Sequence, residues 1–262
     1  FYKANNKNPS LVLNNYVSKS LYNWSNLTNF NQGEQDLKKI NARFKNLKKI
    51  QNAFLNCYFN NPNTNQLFTE ILSNQSTDFS RYNYFHASYF ASIGKIQDAK
   101  KIINSALKFY PRNLLINQYK IDLDKDKNIL QFSCRKAEHV IAEILYITAN
   151  ALSSQSIYSL SNFYLNLAKY LNAEFISYDT LLAENFYKTD NLKKAQKIYK
   201  NLSKHGEAFH WYSSKQIARI LILEENNIKA LELLKKSYDN LINKKVYETF
   251  DYAEFLKNNE KF

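Results

Sequence analysis

The chain has 262 residues with a formal net charge of +13, and hydrophobic residues make up 45% of it. Only 3 glycines and 3 prolines leave few positions for sheet hairpins or long loops, which argues against a β-rich fold and for an all-helical one. No apolar run approaches the roughly 20 residues that a membrane span needs. The absence of methionine indicates a mature or excised fragment, so any signal peptide would lie upstream.

The positive charge is spread along the chain. The 36 basic and 23 acidic residues are interspersed, and lysine is abundant together with asparagine, isoleucine, tyrosine and phenylalanine, as in proteins of AT-rich genomes. Two local clusters stand out: residues 38–49, and the row Lys193, Lys197, Lys200 and Lys204 on one helical face. Two interpretations of that row stay open, a solvated face or a docking surface for an anionic partner.

The N-terminal part is predicted to be a helical-repeat block. Residues 1–10 are polar and form a loose lead-in, and residues 11–112 hold three hairpins, over 11–43, 46–73 and 80–111. Ala53 and Ala87 mark equivalent positions 34 residues apart. A small side chain at such a position lets two antiparallel helices cross closely.

The repeat phase breaks in the middle of the chain. Residues 113–136 are predicted to be one irregular helix and a linker, because Leu114–Leu123 is helical in pattern but the charged segment Asp124–Lys127 has no apolar position. A second helix is therefore short or missing here. We expect the stack to bend at this segment and a protease to cut it first.

Regular spacing returns in a C-terminal block, residues 137–262, that ends in a half repeat. Small residues recur at Ala149, Ala183, Ala218 and Ala253, with steps of 34, 35 and 35 residues. A second row of small residues, at Ser161, Ala195 and Ala230, follows 12 residues behind the first. A period of this length is typical of helical-repeat solenoids.

One unit, Ser80 to Pro111, carries a fuller pattern: Ala87, Phe90, Gly94, Ala99, Ile103, Ala106 and Pro111. This pattern resembles the tetratricopeptide repeat, and most of the chain fits its register as in bacterial repeat-array proteins. The fit is looser in the preceding unit, where Asn56 and Asn65 replace the usual aromatic and small residues. The resemblance implies an all-α, right-handed α-α superhelical solenoid of antiparallel helical hairpins.

The resemblance also implies a function. First helices of such repeats line a concave groove, which predicts a noncatalytic scaffold or adaptor that binds a protein or peptide segment there. Tyrosine and arginine are enriched at protein-binding hot spots. The predicted partner-binding residues on the inward positions are Tyr146, Asn150, Glu184, Tyr187, Tyr212, Lys215 and Arg219. The compartment, a bacterial cytoplasm or periplasm, and the oligomeric state stay open.

An RNA-binding helical repeat of the pentatricopeptide kind is the alternative, since it shares the period and would suit the positive charge. Inward-facing Glu143, Glu184 and Glu254 argue against it because carboxylates repel phosphate. Nucleic acid is therefore not the expected partner.

No motif indicates catalysis, so the chain is not expected to be an enzyme, to hold a metal or to need a cofactor. His205 and His210 are five residues apart and do not share a helical face as zinc ligands would. Cys57 and Cys134 fit neither a metal-ligand spacing nor a disulfide framework, and each is predicted to be a small buried apolar residue.

Overall fold

The computed structural model describes residues 9–73, 79–127 and 130–259, and these residues form helices with no strand among them. Most of the predicted lead-in lies outside the described residues. In chain order the helices are α1 (Pro9–Ser25), α2 (Phe30–Lys38), α3 (Lys45–Tyr58), α4 (Thr64–Leu72), α5 (Ser80–Ser92), α6 (Ile96–Phe109), α7 (Leu114–Asp124), α8 (Ala137–Ser154), α9 (Tyr158–Leu171), α10 (Ser177–Lys188), α11 (Leu192–Leu202), α12 (Glu207–Leu223), α13 (Asn227–Asp239) and α14 (Val246–Asn258). The all-α prediction is confirmed.

The helices pair as hairpins whose crossings hold the predicted small residues. The pairs α5/α6, α8/α9, α10/α11 and α12/α13 pack against each other along their lengths. The small residues at these crossings, fully buried in every case, are Ala87, Ala99, Ala149, Ser161, Ala183, Ala195, Ala218 and Ala230. In α8/α9 the two rows touch directly, because the Ser161 hydroxyl donates to the Ala149 carbonyl at 2.7 Å.

The same turn ends each of these first helices. A residue with positive φ follows the helix, and the next backbone N–H donates to the carbonyl five residues earlier, which is the Schellman arrangement. The positive-φ residues are Gly94, Ser156, Asp190 and Glu225. The matching acceptors are Phe90, Leu152, Phe186 and Leu221, a row of large residues that also follows the repeat period. The backbone therefore repeats with the sequence.

Helix α7 is a first helix without a partner helix of its own. It ends in the same turn, with Asp126 at φ 52° and the N–H of Lys127 donating to the Asp122 carbonyl at 2.8 Å. Residues 130–136 are not helical. The phase break predicted from the sequence is thus the loss of a second helix, which shifts the register of everything after it.

The helix missing after α7 leaves α8 without the neighbour that later first helices have. In the other repeats a first helix packs on the preceding second helix, as α10 does on α9 and α12 on α11. Helix α8 packs instead on α1, from the far end of the chain. Tyr16 of α1 is fully buried. The stack therefore closes back on its own N-terminal helix.

Another long-range contact joins α7 to α12. The side-chain carbonyl of Gln118 accepts a hydrogen bond from the backbone N–H of Ala208 at the start of α12, at 3.0 Å. Gly206 precedes that helix with φ 125°, and a Cβ there would lie 2.2 Å from the Gln118 side chain. Only glycine fits both the dihedral angle and the close approach.

Cys57 and Cys134 form a disulfide bond, with their Cα atoms 5.8 Å apart. The prediction of two unpaired buried cysteines is therefore wrong about the pairing, although both residues are buried. The bond exists because the linker after α7 folds into the core, where Phe132 packs against Phe54 and Phe85. The two cysteines are 77 residues apart in the sequence, and nothing in their spacing indicates that they are in contact.

One hydrophobic cluster runs from Tyr16 to Leu182 and so includes residues on both sides of the phase break. Smaller clusters continue the core through α11–α14. No helix in the described ranges is both long enough and apolar enough to cross a membrane.

Candidate functional site

First helices, α13 and the loop before α7 line two separate cavities. The Arg81 cavity, of about 450 Å³, is bordered by parts of α3, α5, α7, α8, α10 and α12. The Lys215 cavity, of about 580 Å³, is bordered by α10, α12, α13, α14 and the loop before α7. The seven predicted partner-binding residues are distributed over these two cavities and the helix surfaces between them.

The Arg81 cavity is built around an ion pair. The Nε and Nη2 atoms of Arg81 each donate to one carboxylate oxygen of Glu143 at 2.8 Å, and Nη1 donates to the Ser177 hydroxyl at 2.6 Å. The guanidinium also lies 3.9 Å from the ring centroid of Tyr146. Three helices are tied together by one side chain, since these partners come from α8 and α10 while Arg81 belongs to α5.

Burial is the largest single influence on the pKa of each residue in this pair. It raises the pKa of the Glu143 carboxyl, which has no solvent exposure, and the charge and hydrogen bonds of Arg81 oppose that rise. Burial alone would lower the pKa of Arg81, but Glu143 raises it overall, so the guanidinium stays charged. Each charge is neutralised by the other, and the cavity presents no free carboxylate at Glu143.

The Lys215 cavity combines a charged wall with an apolar floor. Arg112, Lys215 and Arg219 supply three cations, while Asp251 and Glu254 supply two carboxylates. The apolar side chains bordering it include Ile222, Leu223, Leu234 and Phe255, with Tyr187 at the same surface. An aromatic, an apolar floor and paired charges are the elements of a protein-binding surface.

Asp251 is shared between two of these cations. It accepts from Arg112 Nη1 at 2.6 Å, and Lys215 Nζ donates to its other oxygen. Partial burial raises the pKa of Asp251, but these two hydrogen bonds outweigh burial and lower it below its ordinary value. Arg219 is exposed, and among the described residues its guanidinium makes no ion pair. A ligand carboxylate can therefore reach Arg219 without breaking an ion pair.

Between the two cavities, Glu184 and Tyr212 bind each other. The Tyr212 hydroxyl donates to Glu184 Oε1 at 2.7 Å. Burial and then the Glu184 charge raise the Tyr212 pKa, so the phenol stays protonated and keeps donating. Tyr212 and Lys215 also border a narrow cleft of about 60 Å³.

The structure therefore brings the predicted residues together in three groups. Tyr146 and Asn150 border the Arg81 cavity, and Tyr187, Lys215 and Arg219 border the Lys215 cavity. Glu184 and Tyr212 hold each other between them. That these residues bind a partner stays a prediction.

Sequence reasoning missed the residues that come from outside the regular repeats. Arg112 lies in the loop before α7, and its partner Asp251 is 139 residues away. Repeat register places a residue on a face but carries no information on contacts between distant repeats. A signal was available for Arg81 and Glu143, which hold equivalent inward positions, but nothing in the sequence showed that they pair.

No protein-family model matches the chain, and no curated protein matches it. Solved structures do match. A tetratricopeptide repeat protein from Parabacteroides merdae is 11% identical over 94% of this chain and 99% of its own, with a TM-score of 0.34. PilF of Pseudomonas aeruginosa is 13% identical over 95% of this chain and 98% of its own, with a TM-score of 0.33.

The chain resembles the tetratricopeptide-repeat proteins. Yeast Tom70 is a further match, 15% identical over 98% of this chain but 55% of its own, with a TM-score of 0.36. Superposition at these scores is poor over whole chains. The fold description therefore rests on the hairpins, buried small residues and repeated turns of the chain itself, and the closure of α1 on α8 is a departure from a simple linear array.

Proposed function

We propose that the chain is a noncatalytic scaffold that binds a protein segment on its inner surface, with the Lys215 cavity as the main contact. The observation that carries the proposal is the composition of that cavity: an exposed Arg219, which forms no ion pair with any described residue, lies beside Tyr187 and above an apolar floor that includes Ile222 and Phe255. Arginine and tyrosine beside apolar surface are the residue types in which binding hot spots concentrate.

The charges favour a segment with an acidic side chain. Asp251 is already held by Arg112 and Lys215, which leaves Arg219 to bind a ligand carboxylate. An apolar or aromatic ligand residue would cover Ile222 and Phe255. A short extended segment that carries one acidic and one apolar anchor matches this cavity.

One of the three glutamates that argued against RNA binding no longer does so in the structure, but the other evidence still favours a protein partner. Glu143, expected to repel phosphate, is neutralised by Arg81. Yet the inner surface still holds Glu184, Asp251 and Glu254, and it does not offer a continuous cationic track for a nucleic-acid backbone. A filter-binding titration with single-stranded RNA at physiological salt separates the two functions.

A random peptide library displayed on phage provides the probe for the test. Peptides selected on the wild-type chain should lose affinity by at least tenfold for the double variant Tyr187→Ala, Arg219→Ala. A matched control removes a tyrosine and a cationic side chain elsewhere, as Tyr22→Ala, Lys229→Ala, and should bind normally. If the double variant retains affinity while reversal of Lys193, Lys197 and Lys200 to Glu abolishes it, the inner-surface proposal is wrong.

A further inference from the structure

The outer face of α9 carries an exposed apolar row. Leu160, Phe163, Leu167 and Tyr170, here called the α9 stripe, follow each other at helical spacing and are between 38% and 86% exposed. The main contacts of α9 are with α8 and α10, through the opposite face that holds Ser161, Leu165 and Ala168. No described element covers the stripe.

The stripe lies in a segment without charge. Between Glu143 and Lys169 the sequence contains no acidic or basic residue, although 23% of the chain is charged. An ordinary solvated helix face carries charged side chains, and contiguous exposed apolar surface marks an interaction site. The α9 stripe therefore differs from the surface around it.

A cationic groove begins where the stripe ends. Lys169 precedes Tyr170 and borders an open groove of about 770 Å³ together with α11. The other lysines of this lysine groove are Lys193, Lys194, Lys197, Lys200 and Lys204. The only carboxylate among its lining residues is Asp179, which Lys169 already binds.

The lysines of α11 are available to a ligand. The sequence holds no acidic residue between Asp190 and Glu207. Among the described residues, Lys193, Lys197 and Lys204 make no ion pair. Six lysines against one paired carboxylate give a strongly positive surface whose complement is anionic.

We propose that the α9 stripe and the lysine groove together bind the surface of an anionic lipid bilayer. Apolar side chains that project from a single helix enter the boundary between headgroups and acyl chains, and neighbouring lysines hold anionic headgroups. A protein partner would have to supply a cleft for the projecting stripe and an acidic surface beside it. A bilayer offers both at every point.

Vesicle flotation tests the proposal with the whole chain. At low salt it should float with vesicles of equimolar phosphatidylglycerol and phosphatidylcholine, release at high salt, and stay unbound with pure phosphatidylcholine. The variant Phe163→Ser, Leu167→Ser should bind at least tenfold more weakly. The variant Lys193→Gln, Lys197→Gln, Lys200→Gln should show a similar loss.

Matched controls separate this surface from general stickiness and charge. Ile228→Ser, Ile242→Ser removes exposed apolar side chains elsewhere, and Lys229→Gln, Lys235→Gln, Lys236→Gln removes the same charge from α13. Both controls should float like the wild type, and all variants should melt within a few degrees of it. Equal losses in controls and test variants, or no flotation of the wild type, would overturn the proposal.

Light scattering gives a further outcome. If the wild type is a dimer that Phe163→Ser, Leu167→Ser converts to a monomer without any vesicle binding, the α9 stripe binds a second copy of the chain. That result also overturns the membrane assignment.

Discussion

His86 makes the stability of the fold depend on pH. Its ring is buried, stacks on Phe68 at 5.2 Å between centroids, and binds Asn65 through Nε2 at 2.9 Å. Burial lowers the His86 pKa to about 4. Because the unfolded chain keeps a histidine pKa of about 6.5, it binds protons more readily than the native state as the pH falls.

The free energy of unfolding should therefore be constant above about pH 6.5 and fall by about 3 kcal/mol between pH 6.5 and pH 4. Urea denaturation at a series of pH values measures this. The variant His86→Gln should show a shallower dependence, with the remainder due in part to His139, whose pKa burial also lowers. The exposed-site control His205→Gln should keep the wild-type slope. Equal slopes in all three proteins would contradict this account.

Removing one partner of the Arg81–Glu143 pair should lower the free energy of unfolding strongly, whereas replacing both partners with apolar residues should lower it little. In Glu143→Gln the Arg81 charge loses its partner inside the protein, so we expect a loss of about 3 kcal/mol in the free energy of unfolding. The double change Arg81→Met, Glu143→Leu should cost much less, because no uncompensated charge remains. A denaturation cycle over the wild type, Arg81→Met, Glu143→Leu and the double variant that combines these two changes gives the coupling energy. Additive losses would show that the two residues do not interact.

At the scale of the element, the hairpin crossings provide an internally controlled test. Ala183 is fully buried where α10 packs on α11, while Ala253 holds the equivalent position on α14 and is exposed. Ala183→Leu should overpack its crossing and cost about 1–3 kcal/mol. Ala253→Leu should leave the thermal melting temperature almost unchanged. A similar melt for both variants would mean that the repeat register is misplaced.

The Cys57–Cys134 bond ties α3 to the linker after α7. Its loop of 77 residues is long, so by the chain-entropy model the bond stabilises the native state by about 4.5 kcal/mol. Adding reductant should lower the urea midpoint of the wild type and leave Cys57→Ala, Cys134→Ala unchanged. Rapid labelling of both thiols in the native, unreduced protein would show that the bond is absent. Such bonds persist in oxidising compartments and are rare in reducing ones.

The sequence was sufficient to predict the hairpins because their cause is local and repeated. The small residues Ala149 and Ser161 suffice to predict where α8 and α9 cross. Because the same spacing recurs in the later repeats, it predicts their crossings as well. The lost second helix after α7 was also visible, because Asp124–Lys127 has no apolar position to bury. Features that depend only on residues within one repeat can therefore be predicted from the sequence.

The linker differs from the expectation of an open hinge. Phe132 and Cys134 are buried in the core, whereas Asp124–Lys127 is exposed. Limited trypsin digestion is therefore expected at Lys125 or Lys127, with Arg135 cut later because the residue before it is held by the disulfide bond. The sequence could not show this. Its composition indicates a polar linker, but it does not show that Phe132 packs against Phe54 and Phe85 in the core.

At the scale of the whole molecule, the contacts that sequence reasoning missed all join distant segments. Helix α1 packs on α8, α7 packs on α12, and Arg112 binds Asp251 of α14. Repeat register predicts which face of a helix a residue occupies, but it carries no information on which distant helices come into contact. The candidate site was therefore predicted at the level of single inward residues, and its division into two cavities was not.

Hydrogen exchange on the complex tests whether a protein segment binds the inner surface at the Lys215 cavity. With a peptide selected on the wild type, amides of α12 and α14 should become slower to exchange, while those of α11 should be unchanged. In Tyr187→Ala, Arg219→Ala the same peptide concentration should give little or no protection. Protection confined to α9 and α11, with α12 and α14 unaffected, would contradict the account.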